Sequence, residues 1–345
     1  MKYHPLGHSN LSVSELCLGT MTFASQTTIQ EAHQQFNYAV SQGINFIDTA
    51  ELYPLPGNAE TQGNSESAIG QWLVNQPRDQ LIIASKVAGA GPRFPWIRGK
   101  NRRVDRTNIE QAINESLRRL QTDYIDLYYI HWPDRYVPVF GEIHYNPSHE
   151  RETVPIAEQL EVFSDLVKAG KIRYVGLSNE TPWGVCEFCR VAKELKLPKV
   201  VAIQNAYNLT NRIFEIHLSE SCRFHKLGLL AYSPLAFGHL TRKYMQTIPP
   251  KSRLKLFPGF DQRYQKPNFE KAVSAYVKIA QKFALTPLQM ALAFVRSRWF
   301  VTSTIIGCSS LEQLQENINT IEIQISQEII AEINAVHSIY PNPTP

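Results

Sequence analysis

The stretch INFIDTAELY, residues 44–53, decides the fold prediction for this chain. Residues 44–47 form a short, largely apolar run, which is typical of a buried parallel strand, and Asp48 ends it. A carboxylate in that position is costly to bury unless it is paired or hydrated. Tyr53 follows in the loop that must leave the sheet. The stretch therefore predicts a strand whose carboxyl end carries an acid and a phenol.

Two later strand-like runs end in the same way. LIIAS (81–85) leads to Lys86, and IDLYYI (125–130) leads to His131. A single ionisable residue at a strand end is more often structural than functional, but three successive strands ending so, with a tyrosine beside them, favour a site. Since the carboxyl ends of parallel strands meet at one end of a sheet, we expect these side chains to converge there.

Strand-like runs and amphipathic helices alternate along almost the whole chain, as in a parallel sheet with helical crossovers. The predicted strands are 14–20, 44–48, 81–86, 125–131, 172–178, 200–204, 229–233 and 302–307. Eight strand–helix units favour a closed (β/α)8 TIM barrel over an open doubly wound sheet, which would need a G-x-G-x-x-G turn that the sequence lacks. Residues 4–13 are turn-rich and predict an N-terminal β-hairpin outside the barrel.

No linker interrupts the alternation, so residues 1–345 are predicted to form a single barrel domain. Three long loops, 87–106, 132–152 and 234–268, follow strand ends on the face of a barrel where catalytic residues lie. Asn64 or Ser65 is expected to cap the helix before the third strand, and Thr107 with Glu110 to form a capping box on the next helix.

Composition narrows the classes of partner. The net charge of +4 arises from 35 basic and 31 acidic residues, and the longest basic cluster, 98–106, is short, which favours a local anion site over nucleic acid binding. Five scattered cysteines indicate a reducing compartment. The first ten residues lack the apolar segment of a secretory signal, and no apolar run reaches the roughly 18 residues of a membrane span, so we expect a cytoplasmic protein.

The four strand-end residues suit proton delivery to a carbonyl oxygen. The pKa of a phenol is about 10, so Tyr53 is a poor acid at neutral pH. We expect it to need a neighbouring cation, Lys86, that lowers its pKa. Asp48 is expected to keep that ammonium charged, and His131 to donate a hydrogen bond to the same oxygen. None of these side chains can supply a hydride, so a cofactor is required.

Later strand ends carry groups that could hold such a cofactor. Ser178, Asn179 and Gln204 offer hydrogen bonds to a carboxamide, and Tyr232 offers an aromatic face, although serine and asparagine are also ordinary helix caps. The turn 307–310 consists of small residues and precedes the helix that follows the last predicted strand. A helix N-terminus of this kind can bind a phosphate, and Lys243 and other cations of the long loop could add positive charge.

The chain resembles the aldo-keto reductase family along its whole length, most closely the Tas-like branch, which shares the loop NAETQGNSE (58–66), and more distantly the potassium-channel β-subunit branch. The motifs that carry the resemblance, in family order, are LCLGTMTF (16–23), GINFIDTAELY (43–53), IIASK (82–86), YIDLYYIHW (124–132), GKIRYVGLSN (170–179), IQNAYN (203–208), AYSPLAFGHLT (231–241) and IIGCSSLEQLQEN (305–317).

The resemblance implies a catalytic tetrad of Asp48, Tyr53, Lys86 and His131, with Tyr53 as the acid in carbonyl reduction. It also implies that strand ends hold the nicotinamide, the loop after the seventh barrel strand closes over the pyrophosphate, and the last helix binds the adenosine. The implied cofactor contacts are Thr20, Met21, Ser178, Asn179, Gln204, Tyr232, Ser233, Leu235, Gly238, Lys243, Arg253, Gly307, Ser309, Gln313, Glu316 and Asn317.

One position departs from the family pattern. Many members carry an arginine where Gln313 stands, so the expected preference for NADP(H) rests here on Ser309, Lys243 and Arg253.

Phe94, Trp96, Trp132, Tyr136 and Phe237 lie in loops over the site and are predicted to wall the substrate pocket, although ordinary packing under long loops explains them nearly as well. The loops allow either aryl aldehydes or small anionic carbonyls as substrate.

Two other functions stay open at this point. One is a redox-sensing regulatory subunit that binds the cofactor with little turnover, as the channel-subunit resemblance permits. The other is a metal-dependent hydrolase, but the strand ends lack clustered metal ligands, and no metal is expected. The Cys186-x-x-Cys189 pair has redox-motif spacing, yet it lies in a predicted crossover helix and is read as packing. The sequence predicts no oligomeric state.

Overall fold

The computed structural model describes residues 1–245, 247–250 and 252–344. Its strands are β1 Tyr3–Pro5, β2 Ser12–Ser14, β3 Leu16–Gly19, β4 Phe46–Asp48, β5 Ile82–Val87, β6 Ile125–Ile130, β7 Ile172–Ser178, β8 Val200–Ala206, β9 Gly228–Tyr232 and β10 Val301–Gly307. Its helices are α1 Ile29–Ser41, α2 Asn64–Leu73, α3 Arg106–Leu120, α4 Ile156–Lys168, α5 Pro182–Glu194, α6 Leu218–His225, α7 Arg253–Leu256, α8 Phe269–Lys282, α9 Pro287–Arg296, α10 Leu311–Ile318 and α11 Gln327–Ile339.

Strands β3 to β10 form a closed parallel barrel in chain order, with β10 returning to pair with β3. Gly19 of β3 pairs with Asp48 of β4, and Asp48 pairs with Ala84 of β5, so the carboxyl ends lie at one level. Helices separate consecutive strands, which confirms the predicted (β/α)8 TIM barrel. The strands are buried on both faces, and this explains why they read as nearly continuous apolar runs.

Strands β1 and β2 form an antiparallel hairpin outside the barrel, as predicted, and the hairpin packs against the amino-terminal end of the barrel. Leu6, Leu11 and Val13 belong to a buried cluster that includes the strand residues Phe46 and Leu127. Gly7 has a φ of +58°, and a Cβ there would lie 2.2 Å from the carbonyl oxygen of Val201, so the close approach requires glycine. The amino-terminal end is therefore packed, and the carboxyl end is the one left for a site.

Two predicted helix caps are wrong. Helix α3 begins at Arg106, and the Asp105 side chain accepts a hydrogen bond from the Asn108 backbone, which places Thr107 inside the helix rather than at its cap. Helix α2 is preceded by Gly63 with a φ of 81°, so Asn64 and Ser65 also lie inside the helix. In both cases the observed cap residue lies one or two residues before the predicted cap.

The long loops follow β5, β6 and β9 at the carboxyl end of the barrel, as predicted. They comprise residues 88–105, 131–155 and 233–268, and the last of them contains α7. Among the described residues, no helix is both long and apolar enough to cross a membrane. The five cysteines are free thiols.

Candidate active site

A buried ion pair forms the floor of the site. The Lys86 ammonium donates hydrogen bonds of 2.6 Å to Oδ2 of Asp48 and 2.6 Å to the carbonyl oxygen of Thr49. The Gln204 amide donates a 2.8 Å hydrogen bond to the other carboxylate oxygen, Oδ1. Both charged side chains are almost completely buried, so each depends on the other for compensation. Asp48 reaches the cleft above, whereas Lys86 lies beneath its surface.

Tyr53 lies over this pair, with the Lys86 ammonium 5.1 Å from its ring centroid. Burial raises the pKa of Tyr53 well above its ordinary value, and the negative charge of Asp48 raises it further. The expected lowering of this pKa is therefore not found, because burial and the negative charge of Asp48 outweigh the nearby cations. Tyr53 consequently keeps its proton at neutral pH.

His131 faces Tyr53 edge-on, with ring centroids 5.7 Å apart. Burial lowers the pKa of His131 well below 6.5, and the positive charges of Lys86 and Arg102 lower it further. Its Nδ1 is buried and has no hydrogen-bond partner among the described residues. The imidazole is therefore neutral at physiological pH and can offer one N–H to a ligand in the cleft.

The ends of β7, β8 and β9 hold a group of oriented amides and hydroxyls. Ser178 Oγ donates a hydrogen bond of 2.9 Å to the Gln204 carbonyl oxygen, and the Tyr232 hydroxyl donates one of 2.6 Å to Oδ1 of Asn179. The Asn179 amide in turn donates 2.9 Å to the carbonyl of His131. Asn179 has a φ of 54°, a backbone conformation that asparagine tolerates better than most residues. Through these hydrogen bonds the side chains at the ends of β7, β8 and β9 are connected to the backbone of His131.

One cleft of about 1340 Å³ runs from Tyr53 past β9 and β10 to helix α10. It exceeds the roughly 300–1,000 Å³ of ordinary small-ligand pockets, which suits a dinucleotide together with a substrate. The predicted cofactor residues that line it are Thr20, Met21, Ser178, Asn179, Gln204, Tyr232, Ser233, Leu235, Gly238, Lys243, Arg253, Gly307, Ser309, Gln313, Glu316 and Asn317.

Two cations meet where the 233–268 loop crosses the cleft. Neither Lys243 nor Arg253 forms an ion pair with any described residue, and Nε of Arg253 is buried without a hydrogen-bond partner there. Burial lowers the pKa of Lys243, and the charge of Arg253 lowers it further. A Cβ on Gly238 would lie 2.7 Å from Nζ of Lys243, so glycine leaves room for that chain. Two crowded, uncompensated cations fit a diphosphate group.

The start of α10 offers a second place for an anion, but it is partly engaged. Ser310 caps the helix, and the Gln313 side-chain oxygen accepts hydrogen bonds of 3.1 Å from the Ser309 amide and 3.3 Å from its hydroxyl. A Cβ on Gly307 would meet nothing within 4 Å. The donors on which the NADP(H) expectation depends are therefore present, and Gln313 occupies two of them.

Phe94, Trp132 and Phe237 line the cleft, as predicted, but Trp96 and Tyr136 do not. Trp96 packs edge-on against Phe94, with ring centroids 5.5 Å apart, so Phe94 is the ring of that pair that faces the cleft. Sequence reasoning also missed the lining residues Phe140, Arg93 and Arg263. The only available signal was the aromatic and basic content of the long loops.

The basic cluster 98–106 is not an anion site, contrary to expectation. Arg102 is 1% exposed and donates hydrogen bonds to the carbonyls of Gly89, Arg93, Phe94 and Ile97, so it organises the 88–105 loop. The ion pairs of the cluster join Arg98 to Glu51, Arg103 to Asp134, and Arg106 to Glu110 and Asp165.

No group of three or more His, Cys, Asp or Glu side chains within the described part of the chain is arranged to hold a metal ion. The cleft instead combines a phenol, a neutral imidazole, oriented amides and unpaired cations. That set suits proton transfer beside a bound anionic cofactor.

Comparison with known proteins agrees with this arrangement. The model of the Aldo/keto reductase family matches residues 15–338. Protein tas of Escherichia coli is 46% identical over 347 residues, covering all of both chains. A protein of Babesia bovis named Aldo-keto reductase is 38% identical over 76% of this chain and 98% of its own. The Bacillus subtilis protein named Uncharacterized oxidoreductase YrpG is 32% identical over 99% of this chain and 97% of its own. The chain therefore belongs to the aldo/keto reductase family of oxidoreductases.

Proposed function

We propose that the protein is an NADPH-dependent reductase that converts aldehydes or ketones to alcohols, with Tyr53 as the proton donor. The observation that carries the proposal is the arrangement of three groups. The Asp48–Lys86 ion pair is buried, the Tyr53 ring lies above it, and the His131 ring lies beside that of Tyr53. These groups lie at one end of a cleft that can hold a dinucleotide.

The state of Tyr53 supports its role as an acid. Its hydroxyl is protonated at neutral pH, so a proton is available when a carbonyl oxygen gains negative charge, but the raised pKa makes Tyr53 a weak acid unless a cation stabilises the phenolate. The ammonium of Lys86, held 5.1 Å from the ring centroid, favours the phenolate that forms as the proton leaves. His131 is neutral and can donate a hydrogen bond to the same oxygen without releasing its own proton.

The residues of the cleft fit a nicotinamide dinucleotide. When bound, such a cofactor supplies the hydride that the side chains cannot provide. Ser178, Asn179 and Gln204 would hold the carboxamide, and the Tyr232 ring would lie beneath the nicotinamide. Lys243 and Arg253 would neutralise the diphosphate that every nicotinamide dinucleotide carries, and the choice of NADP(H) rests on the Ser309 hydroxyl at the start of α10.

Two further properties belong to the same proposal. The substrate is a small molecule carrying a carbonyl group, and walls formed by Trp132 and Phe237 favour one with an apolar part. A cytoplasmic location agrees with five free thiols, which a reducing compartment preserves.

The proposal is tested by incubating the purified protein with NADPH and a panel of aldehydes and ketones while the absorbance of NADPH is followed. We expect cofactor oxidation that depends on both the carbonyl compound and the protein. Absence of turnover with every compound, in a protein that retains cofactor through purification, would favour a regulatory cofactor-binding subunit instead.

A further inference from the structure

Two arginines, Arg93 and Arg263, flank the ring of Phe140 in the cleft. We propose that they bind an anionic group, so that the substrate is a carbonyl compound that carries a carboxylate or a phosphate. The proposal rests on the proposed function and names the substrate class of the same site. It is argued from the positions of the two guanidinium groups, their lack of ion-pair partners and the rigidity of the loops that carry them.

The two guanidinium groups reach one ring from different loops. The Arg93 guanidinium carbon lies 4.7 Å from the Phe140 ring centroid, and that of Arg263 lies 5.5 Å from it. Arg93 belongs to the 88–105 loop and Arg263 to the 233–268 loop, whereas Phe140 belongs to the 131–155 loop between them. All three long loops of the catalytic face therefore contribute to one cationic patch.

A short series of rings connects this patch to the proposed acid. Phe140 is 6.2 Å from Trp132, Trp132 is 5.2 Å from His131, and His131 is 5.7 Å from Tyr53, measured between ring centroids. A molecule whose carbonyl oxygen contacts Tyr53 can therefore extend along Trp132, and an anionic group at its far end can approach the arginines.

The charges of the patch are not neutralised by the protein. Neither Arg93 nor Arg263 forms an ion pair with any residue that the structure describes, and Glu142 acts on Arg93 only from a distance. Of the cleft carboxylates, Asp48 is already paired with Lys86. The carboxylates that line the cleft are Glu31, Asp48 and Glu316. Since Glu31 and Glu316 belong to α1 and α10 at the opposite end, an anionic substrate group is the counter-ion that the patch lacks.

The loops are held in place before a ligand binds. Arg102 donates a hydrogen bond of 2.8 Å to the backbone carbonyl of Arg93, and Lys266 donates a hydrogen bond of 2.8 Å to the backbone carbonyl of Gly141. Gly141 has a φ of +109°, and a Cβ there would lie 3.2 Å from Cβ of Arg263, so the two loops touch beside Phe140. A preorganised pair of cations loses less conformational entropy on binding an anion than two mobile side chains would.

The first experiment compares kcat/KM, with NADPH, for 4-carboxybenzaldehyde and its neutral methyl ester. We expect the wild-type protein to prefer the carboxylate by about tenfold or more, and Arg93→Met and Arg263→Met each to lower that ratio several-fold, mainly through KM. The matched control is Arg118→Met, an exposed arginine on α3 that is remote from the cleft, which should leave the ratio unchanged. A wild-type ratio near one would overturn the inference.

Two additional measurements keep the outcome decisive. Glyceraldehyde 3-phosphate compared with glyceraldehyde separates a phosphate preference from a carboxylate preference. Raising NaCl from about 0.05 M to about 0.5 M should reduce the preference for the charged substrate, because the arginines are partly open to solvent. Insensitivity to salt would count against the pair of arginines as the anion site.

A binding measurement distinguishes failure of this inference from failure of the proposed function. Quenching of tryptophan fluorescence, to which Trp132 contributes, reports binding of 4-(hydroxymethyl)benzoate and of benzyl alcohol. Tighter binding of the benzoate, lost in the Arg93→Met and Arg263→Met variants, supports the anion site even if no aldehyde is reduced. Equal binding of the two alcohols contradicts it even if every aldehyde is reduced.

Discussion

The ammonium of Lys86 lies 2.6 Å from the carboxylate of Asp48, beneath the ring of Tyr53, and the two charged side chains are 0% and 3% exposed. Each charge is stable at this depth because of the other. The pair therefore couples the stability of the barrel to the electrostatics of the proposed acid. Burial and the negative charge of Asp48 together raise the pKa of Tyr53.

Breaking this pair should cost stability. Lys86→Met or Asp48→Asn leaves the other group without compensation, and we expect the free energy of unfolding to fall by about 3–5 kcal/mol in each variant. The double variant should lose less than the sum of the two, because it leaves no unpaired charge. Urea unfolding monitored by circular dichroism measures all three.

The exposed pair Arg106–Asp165 serves as the matched control. Both side chains are about half exposed, so Arg106→Met should cost less than about 1 kcal/mol. If the buried and exposed variants lost equal stability, the account of the floor of the site would be incorrect.

The pH dependence of stability should carry a contribution from His131. Its pKa in the folded protein is lower than the 6.5 of an exposed histidine, so as the pH falls below 6.5 the unfolded chain binds a proton that the folded protein does not. Stability is therefore lost toward acid. His131→Asn should remove about 2 kcal/mol of the loss between pH 7 and pH 5.

Denaturant unfolding of the wild type and the variant at the two pH values measures that difference. Identical acid sensitivity of the two proteins would show that His131 titrates like an exposed histidine. For the same reason we expect no step near pH 6.5 in kcat/KM for carbonyl reduction.

Cofactor affinity should depend on the two unpaired cations of the 233–268 loop. Lys243→Met and Arg253→Met each remove a charge-assisted hydrogen-bond donor, and we expect NADPH to bind about tenfold more weakly in each. Fluorescence titration of NADPH measures the dissociation constants, with Arg118→Met as the control that should bind normally. Normal NADPH affinity in both variants would contradict this role of the two cations, and equal wild-type affinities for NADPH and NADH would contradict the preference for NADP(H).

The barrel and its strand ends were predictable because local sequence determines them. Parallel strands buried on both faces read as short apolar runs, and the topology then brings Asp48, Lys86 and His131 to one end. The eight runs match eight strands of the barrel. The predicted walls Trp132 and Phe237 also line the cleft, because each lies in a loop that leaves a strand end directly.

The contacts between loops were not predictable in the same way. Trp96 and Phe94 are two residues apart in an irregular segment, where no periodicity indicates which ring faces the cleft. The role of Arg102 depends on carbonyl groups that its own loop presents only when folded. The pKa of Tyr53 likewise depends on how deeply the folded loops bury its hydroxyl, which the sequence does not reveal.

The account depends most directly on Tyr53 as the proton donor. The decisive measurement is single-turnover reduction of an aldehyde by Tyr53→Phe with bound NADPH, alongside NADPH titration of the same variant. We expect hydride transfer to slow by about 10²–10⁴-fold while the dissociation constant for NADPH stays within about threefold of wild type. Reduction at the wild-type rate with cofactor bound normally would contradict the account, since the proton would then come from another group.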